Sequence, residues 1–517
     1  MKSPYFHEDH HLFRQSVRDF IATEVRPYID EWEEQKQIPR SLWKKMGDMG
    51  YLGICHEEAY GGMEADFFFS VVFLEELAGS GSGGFSAAIS VHEYMATNHL
   101  AKAGSEELKQ AFLAPAIAGE MIAALGISEP AVGSNVAGIQ TTARKEGEVY
   151  LVNGGKNFIT NGVYADFIVT AVKTEKGVSL LLIEGDSEGV SRTKLKKMGW
   201  HSSDTAEIGF SDVRVPVSHL IGEEGQGFKY IMDSFQLERL AGSCMSVGGM
   251  ESALRTTLGY MEEREAFGHP INKYQALRHR IADLATEIES CKQFVHHTAW
   301  LHEQGEYVVK QCSMAKLLSS ELSNKVMDRC LQMFGGYGYM EEYPMARAFR
   351  DSRVGTIAGG TSEIMKEIIA KMVIDDVNYD VAYRRGSPAG SPSPAGTPQE
   401  AHHSNHEAPN ITAKQIVHSL SNRFKADKAN GYQTTIHYDI SGPGGGQFTI
   451  QIAAGHCEVR EGLHGPPSCT ITVSDEVYTQ LELGKMDAQS AFMQGLIQIS
   501  NIAEAMTFAK FFKRIQI

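Results

Sequence analysis

Apolar positions change their spacing repeatedly along the chain. Over residues 1–121 they recur at helical intervals: Leu12, Val17, Phe20 and Val25 read as one stripe, and Val72, Leu74 and Leu77 belong to another. From 122 to 230 the period falls toward two. There "VYLVNGGKNFITNGVYADFIVTAV" breaks into short β-branched runs split by Asn-Gly pairs, a pattern that predicts hairpins. From 231 to 383 helices return, with Ile281, Leu284, Ile288, Cys291 and Val295 on one face. Residues 384–410, "RRGSPAGSPSPAGTPQEAHHSNHEAPN", hold almost no large apolar side chain, so a flexible Pro/Ser/Gly/Ala linker is expected. The tail, 411–517, alternates again in "GYQTTIHYDISG", "QFTIQIAAGHCEVREG" and "SCTITVS" and ends in a partly helical stretch. That predicts a small α+β domain.

At 517 residues, 42% apolar and 22% charged, the chain has room for several cores of ordinary globular composition. A net charge of −16 with no basic stripe argues against general nucleic-acid binding. Seven cysteines stand singly, with no C-x-x-C pair, which suits reduced thiols. No run approaches the ~20 apolar residues of a membrane span, so no transmembrane segment is expected. The opening "MKSPYFHEDHHLFRQSVRDF" carries no apolar signal core, and a cytoplasmic location is expected. His402, His403 and His406 fall in the linker, which offers no fixed geometry, so no metal site is expected.

Four short stretches carry candidate chemistry. Gly79, Gly81 and Gly84 satisfy G-x-G-x-x-G, but "FFFSVVFLEELA" before them reads as helix. They are expected to join two helices rather than grip a dinucleotide. "GISEPAVGSN", residues 126–135, opens the β zone with small residues and a proline; its backbone suits a flat or phosphorylated ligand, and equally an ordinary turn. "QMFGGYGYMEEYPMARAFRD", residues 332–351, is more specific, setting glycines ahead of Glu342, Arg347 and Asp351 at fixed offsets. In "TIAGGTSEIMKE", Thr361 and Ser362 can cap a helix with Glu363 in its first turn. The cap has no need of Gly359 and Gly360, which point instead to close backbone contact with a ligand.

Together these motifs resemble the acyl-CoA dehydrogenase family, flavoenzymes that desaturate fatty acyl thioesters, over residues 5–376. The resemblance implies a multidomain fold: an N-terminal helical domain, a middle β domain and a C-terminal four-helix bundle. Val132, where a small residue is usual, and Asn135, in place of Asp, depart from the family pattern. FAD is the implied cofactor. Leu125, Ile127, Ser128, Gly133 and Ser134 would run along its ring, with Phe158, Ile159 and Thr160 packed on it. Arg264, Gln275, Gln332, Gly335 and Gly336 would hold its adenosine and pyrophosphate, and Thr361, Ser362 and Glu363 would complete the site at a helix N-terminus. In the family the pyrophosphate-side groups often reach across a subunit interface, so a homodimer or homotetramer is implied.

Desaturation needs a base on the face opposite the flavin. Most of the family carries it as the Glu of "Y-E-G-T", which here reads "AGGT" with Gly359 in that place. "FQLERLAG" is similar to the "L-E-R-L" of the long-chain and isovaleryl branches and makes Glu238 the implied base. By itself Glu238 would read as a solvated helical acid; in a closed pocket its pKa should rise. The Gly359 N–H would donate to the thioester carbonyl, with Gly360 leaving room beside it. Ser134 and Arg239 would help hold coenzyme A, although Arg239 alone reads as a helix ion pair. His92, Glu93 and Tyr94 fall on the helix that bounds the acyl pocket in the family. Their polarity suits a functionalised chain, or they face solvent or satisfy one another.

The tail segment "CTITVSDEVYTQLELGKMDAQSAFMQGLIQISNIAEAMTFAKFF" resembles a sterol-carrier-protein type lipid-transfer domain, which implies a lipid or acyl ligand. The implied activity is FAD-dependent conversion of a fatty acyl-CoA to its trans-2-enoyl thioester, with electrons passed to an electron-transferring flavoprotein. Two alternatives stand beside it. One is a dehydrogenase of chains on an acyl carrier protein, which shares pantetheine with coenzyme A; the other is a lipid-binding scaffold with an inactive dehydrogenase body.

Overall fold

A computed structural model describes residues 3–375 and, in the tail, residues 412–426, 432–483 and 496–509, with isolated positions besides. The chain divides into two compact units, Met1–Tyr383 and Arg384–Ile517. The expected linker, 384–410, and most of the "GKMDAQSAFMQG" motif, 484–495, lie outside the described residues.

The first unit opens with helices. Val17 and Val25 are fully buried, but Leu12 is 65% exposed. Five residues separate Leu12 from Val17, about 140° around a helix, so the two cannot share a face. Helices Phe67–Ala78 and Gly83–Ser90 flank the glycine cluster, which therefore joins two helices as its sequence suggested. Its glycines serve packing: a Cβ on Gly84 would stand 2.4 Å from Ser202 Oγ, in the β part of the unit.

The middle sheet contains strands β1 (Ala123–Gly126), β2 (Thr142–Glu146), β3 (Val149–Thr160), β4 (Phe167–Thr174), β5 (Gly177–Glu184), β6 (Val190–Lys194), β7 (Thr205–Pro216) and β8 (Leu220–Ile221). Their order is β6-β7-β3-β2-β4-β5-β8, with β1 added parallel to β4. The expected Asn-Gly hairpins do not form. Asn153 and Gly154 lie inside β3, where Asn153 exchanges hydrogen bonds with Asp212 (2.9 Å each) across a bulge in β7. Asn161 and Gly162 do turn the chain, but β3 and β4 pair with β2 rather than with each other. Further along β3 two residues, Asn157 and Phe158, oppose the single Glu207 of β7, and the extra one lets both Lys156 and Ile159 point inward while Phe158 stands out.

The long helix Gly227–Glu263 starts within the range read as β, because Gly227 packs directly on Ser179 of β5. With Gln275–Glu303, Val309–Phe334, the shorter Pro344–Ser352 and Ser362–Val373 it forms the helical remainder of the unit. Leu284, Ile288, Cys291 and Val295 are buried on one face, as their spacing predicts.

The second unit is α+β. Strand Thr434–Ser441 lies at the centre of a five-stranded sheet, antiparallel to Gly446–Ala453 and parallel to Cys469–Ser474. Ile436, Ile450 and Ile471 build its core against helix Ala413–His418, capped by Thr412 and Gln415.

Candidate active site

Glu238 projects from the first third of the long helix and is buried. Its Oε1 has no hydrogen-bond partner among the described residues. Burial pushes its carboxyl up to about 7, while the charge of Arg239 pulls the other way. Arg239 is buried too, its guanidinium 5.4 Å from the centre of the Phe235 ring.

Gly359 and Gly360 take φ angles of +65° and +93°, a conformation that other residues adopt with strain. A Cβ on Gly359 would meet open space. Thr361 then caps helix Ser362–Val373 by accepting from the Ile364 N–H at 3.3 Å, and the buried Ser362 hydroxyl has no partner among the described residues. Lys316, absent from the sequence expectations, donates to the Gly360 carbonyl. Burial and the charge of Arg239 lower its ammonium to about 8. The glycine turn and the neighbour of Glu238 thus share one lysine. Its one legible signal is a charge set within the apolar and small run "SMAKLLSS".

The loop after β1 is braced from below. Lys156 Nζ, fully buried, donates to Glu129 Oε1 (2.7 Å) and the Ile127 carbonyl (3.3 Å). Glu129 also accepts the N–H groups of Gln140 (2.7 Å) and Thr141 (3.0 Å). Burial opposes both charges. It takes Lys156 down to about 8, whereas Lys156 and those N–H donors hold Glu129 below its ordinary value. Ser128 ties the loop to β3 through the Asn157 N–H (2.8 Å). Leu125 and Ser128 are half-buried, Ile127 is buried, and Gly133 and Ser134 lie open above the brace. Val132 turns into the core, so its bulk does not crowd the loop's open face, and Asn135 closes a turn onto the Gly138 N–H (2.9 Å).

Phe158 is 69% exposed with φ at +62°, and Thr160 is half-buried beside it. Ile159 instead belongs to the β core, so only its backbone is free to meet a ring stacked on this strand. At a second place Arg264, Gln332, Gly335 and Gly336 join Tyr260 and Tyr337 around a pocket of about 630 Å³. Gln275 is not among its lining; it opens helix Gln275–Glu303, exposed. Exposed Phe158 and the braced loop suit a flat ring, and the glycine-lined pocket at the second place suits a phosphorylated group.

His92, Glu93 and Tyr94 neither face solvent nor satisfy one another. All three are buried on a π-helical turn, Val91–Ala96. His92 accepts the Ala123 N–H on Nδ1 (3.1 Å) and so donates from Nε2 to the Ala116 carbonyl (3.2 Å). Burial lowers it to about 4, keeping it neutral.

Family models match nearly all of the first unit: "Acyl-CoA dehydrogenase, N-terminal domain" over residues 7–120, "middle domain" over 124–213 and "C-terminal domain" over 225–374. The "SCP-2 sterol transfer family" matches residues 414–513. Long-chain specific acyl-CoA dehydrogenase of Rattus norvegicus is 39% identical over 379 residues, covering 72% of this chain and 88% of that one. The crystal structure of an acyl-CoA dehydrogenase from Geobacillus kaustophilus superposes with a TM-score of 0.70 at 42% identity, over 72% of this chain and all of that one. A glutaryl-CoA dehydrogenase from Mycobacterium smegmatis, solved with FADH2, gives a TM-score of 0.70 at 26% identity, over 72% of this chain and 97% of that one. The chain therefore belongs to the acyl-CoA dehydrogenase family, as an FAD-dependent oxidoreductase acting on acyl-CoA that carries an SCP-2 domain at its C-terminal end.

Proposed function

We propose that the chain converts a fatty acyl-CoA to its trans-2-enoyl thioester with Glu238 as the base that removes the α-proton. The observation that carries this is the Glu238 carboxyl, buried, without a partner on Oε1, and pushed up to about 7. A base poised near the working pH takes a proton most effectively. The Gly359 N–H is assigned to the thioester carbonyl, where one such donor is worth ~10²–10³ in rate. Lys316 fixes that donor by holding the next carbonyl. Ser134 and Arg239 are assigned to coenzyme A.

The FAD, when bound, accepts the hydride that leaves the β-carbon. Leu125 to Ser134, Phe158 and Thr160 are assigned to its ring; Arg264, Gln332, Gly335 and Gly336 to its adenosine and pyrophosphate; and Thr361 to Glu363 to the helix N-terminus beside it. Gln275, exposed at the start of its helix, is assigned with them, and groups of this kind reaching across a subunit interface accord with a homodimer or homotetramer. An electron-transferring flavoprotein is the proposed acceptor, and the cytoplasm the proposed compartment. Among the described residues no helix is long and apolar enough to cross a membrane. The tail is assigned a lipid or acyl ligand, a reading that rests on its SCP-2 match.

Anaerobic bleaching of the flavin by acyl-CoA and acyl-carrier-protein thioesters of several lengths tests the reading. Rapid bleaching by coenzyme A esters, lost in Glu238→Gln, supports it. Bleaching by carrier-bound chains alone replaces the substrate, and a yellow protein that no thioester bleaches overturns the reading.

A further inference from the structure

Two glycines inside the long helix Gly227–Glu263 differ in what surrounds them. A Cβ on Gly248 would stand 2.1 Å from the Glu75 carbonyl oxygen, so close packing against helix Phe67–Ala78 demands a glycine there. A Cβ on Gly242 would meet no atom within 4 Å, although the position is half-buried. Its φ is not among the positive ones, so the backbone does not demand glycine either. Glycine within a helix is less stable than alanine. The chain gives up helix stability at 242 and gains no close contact within the fold in return. That points to room kept for a ligand.

Gly242 follows Glu238 by one turn, so the two share a face with their Cβ positions about 5–6 Å apart. Glu238 is 8% exposed, and its Oε1 has no partner among the described residues. Around the helix, at about 100° per residue, both positions fall between Ser234 and Gln236. Ser234 Oγ accepts from the Asn98 amide at 3.1 Å, which sets helix Thr97–Ala103 on one flank. Gln236 Oε1 accepts the Val308 N–H at 3.1 Å, which sets helix Val309–Phe334 on the other. Leu240, Cys244 and Val247 occupy the opposite arc and are fully buried, so the free side of the long helix is the one that holds Glu238 and Gly242.

Phe235 fills that side ahead of Glu238, its ring centre 5.4 Å from the Arg239 guanidinium. Past Gly242 the free side continues to Gly249, where a Cβ would meet only Met327 Cε, at 3.9 Å. From Glu238 to Gly249 is about 16 Å of helix, long enough for an extended hydrocarbon chain laid along it.

We propose that Gly242 is a specificity-determining residue: by leaving its side of the long helix bare, it admits the acyl chain past Glu238 toward Gly249. The proposal rests on the dehydrogenase reading and names its substrate class: acyl thioesters whose chains run well beyond the reacting carbons.

The test measures flavin bleaching and kcat/KM for straight-chain acyl-CoA esters, short to long, on the native holoenzyme, Gly242→Ala and Gly242→Leu. Native protein should favour the long chains. The ratio of long-chain to short-chain kcat/KM should fall at least ~10-fold in Gly242→Leu and by less in Gly242→Ala. Long-chain dissociation constants, measured without turnover on Glu238→Gln protein, should rise when Gly242→Leu is added. Gly242→Ala should also raise the urea midpoint, since the new methyl meets open space and the helix gains. A raised midpoint with the chain-length ratio unmoved in both variants makes the glycine idle; it overturns the proposal and leaves the dehydrogenase reading standing. A lowered midpoint in Gly242→Ala means that the space is filled by the protein itself and overturns the proposal as well. No bleaching by any thioester overturns both readings. Should Gly242→Leu fail to fold, the ratio in Gly242→Ala decides.

Discussion

Lys316 and Gly360 are joined by a hydrogen bond from the lysine ammonium to the glycine carbonyl, at the second residue of a turn whose two φ angles are both positive. A Cβ on Gly359 would touch nothing, while one on Gly360 would stand 2.7 Å from Met365 Cε. Replacing Lys316 by Met should therefore loosen the assigned thioester donor. We expect kcat to fall about tenfold or more, with FAD content unchanged and partial recovery in Lys316→Arg, because small misplacement of a donor is costly in rate. Steady-state kinetics beside flavin absorbance would show it, and an unchanged kcat would remove Lys316 from this role.

Glu238 makes two demands on the kinetics. Glu238→Gln should lower turnover by ~10²–10⁴ while thioesters still perturb the flavin spectrum. In the native protein kcat/KM should fall tenfold per pH unit below about 7, where the carboxyl takes up a proton and ceases to be a base. A profile flat from pH 5 to 8 would contradict this assignment.

Glu93 links stability to pH in a particular direction. Burial raises its folded-state value from 4.5 to about 8, so the native state binds this proton more tightly than the unfolded chain. The resulting stability is fully present below about 4.5 and is lost as pH rises toward 8. Glu93→Gln, which can still accept the Ile54 N–H, should flatten the fall in urea midpoint over that window. An identical pH slope in the two proteins would argue against a protonated Glu93.

Lys156 and Glu129 should show strong non-additivity. Lys156→Met leaves Glu129 buried without its cation and is expected to cost about 3–5 kcal/mol, with weakened FAD retention. Adding Glu129→Gln removes the stranded charge and should restore part of the loss. A double-mutant cycle in urea measures the coupling, and simple addition of the two effects would mean that the pair is not ionised.

Much of this architecture was legible in the chain. The order helix, β, helix followed from the period of the apolar positions, and the glycine cluster at 79–84 was separable from a dinucleotide site because helix precedes it. The failures have local causes. Asn153-Gly154 has the composition of a hairpin turn, but pairing with Asp212 absorbs it into a long strand, an outcome set by a residue far along the chain. Lys156, Lys316 and Glu129 look like ordinary surface charges until their partners are known, and two of those partners are backbone carbonyls, which no side-chain pattern can announce. Ile159 was grouped with its ring-facing neighbours because the extra residue that shifts it into the core is invisible to a count of two.

Asp351 takes the Gly83 N–H at 3.0 Å and the Trp200 N–H at 2.6 Å, across 268 and 151 residues of chain. One carboxylate thus fastens the start of a helix in the N-terminal part, a loop of the β part and the helix Pro344–Ser352. Contacts of such separation close loops too long to form early in folding. The Asp351 knot is therefore expected among the last features made and the first released, which φ-value measurement on Asp351→Asn would check. Its loss should quicken unfolding while leaving the rate of folding nearly untouched, so this acid governs how long the assembled body lasts rather than how readily it is made.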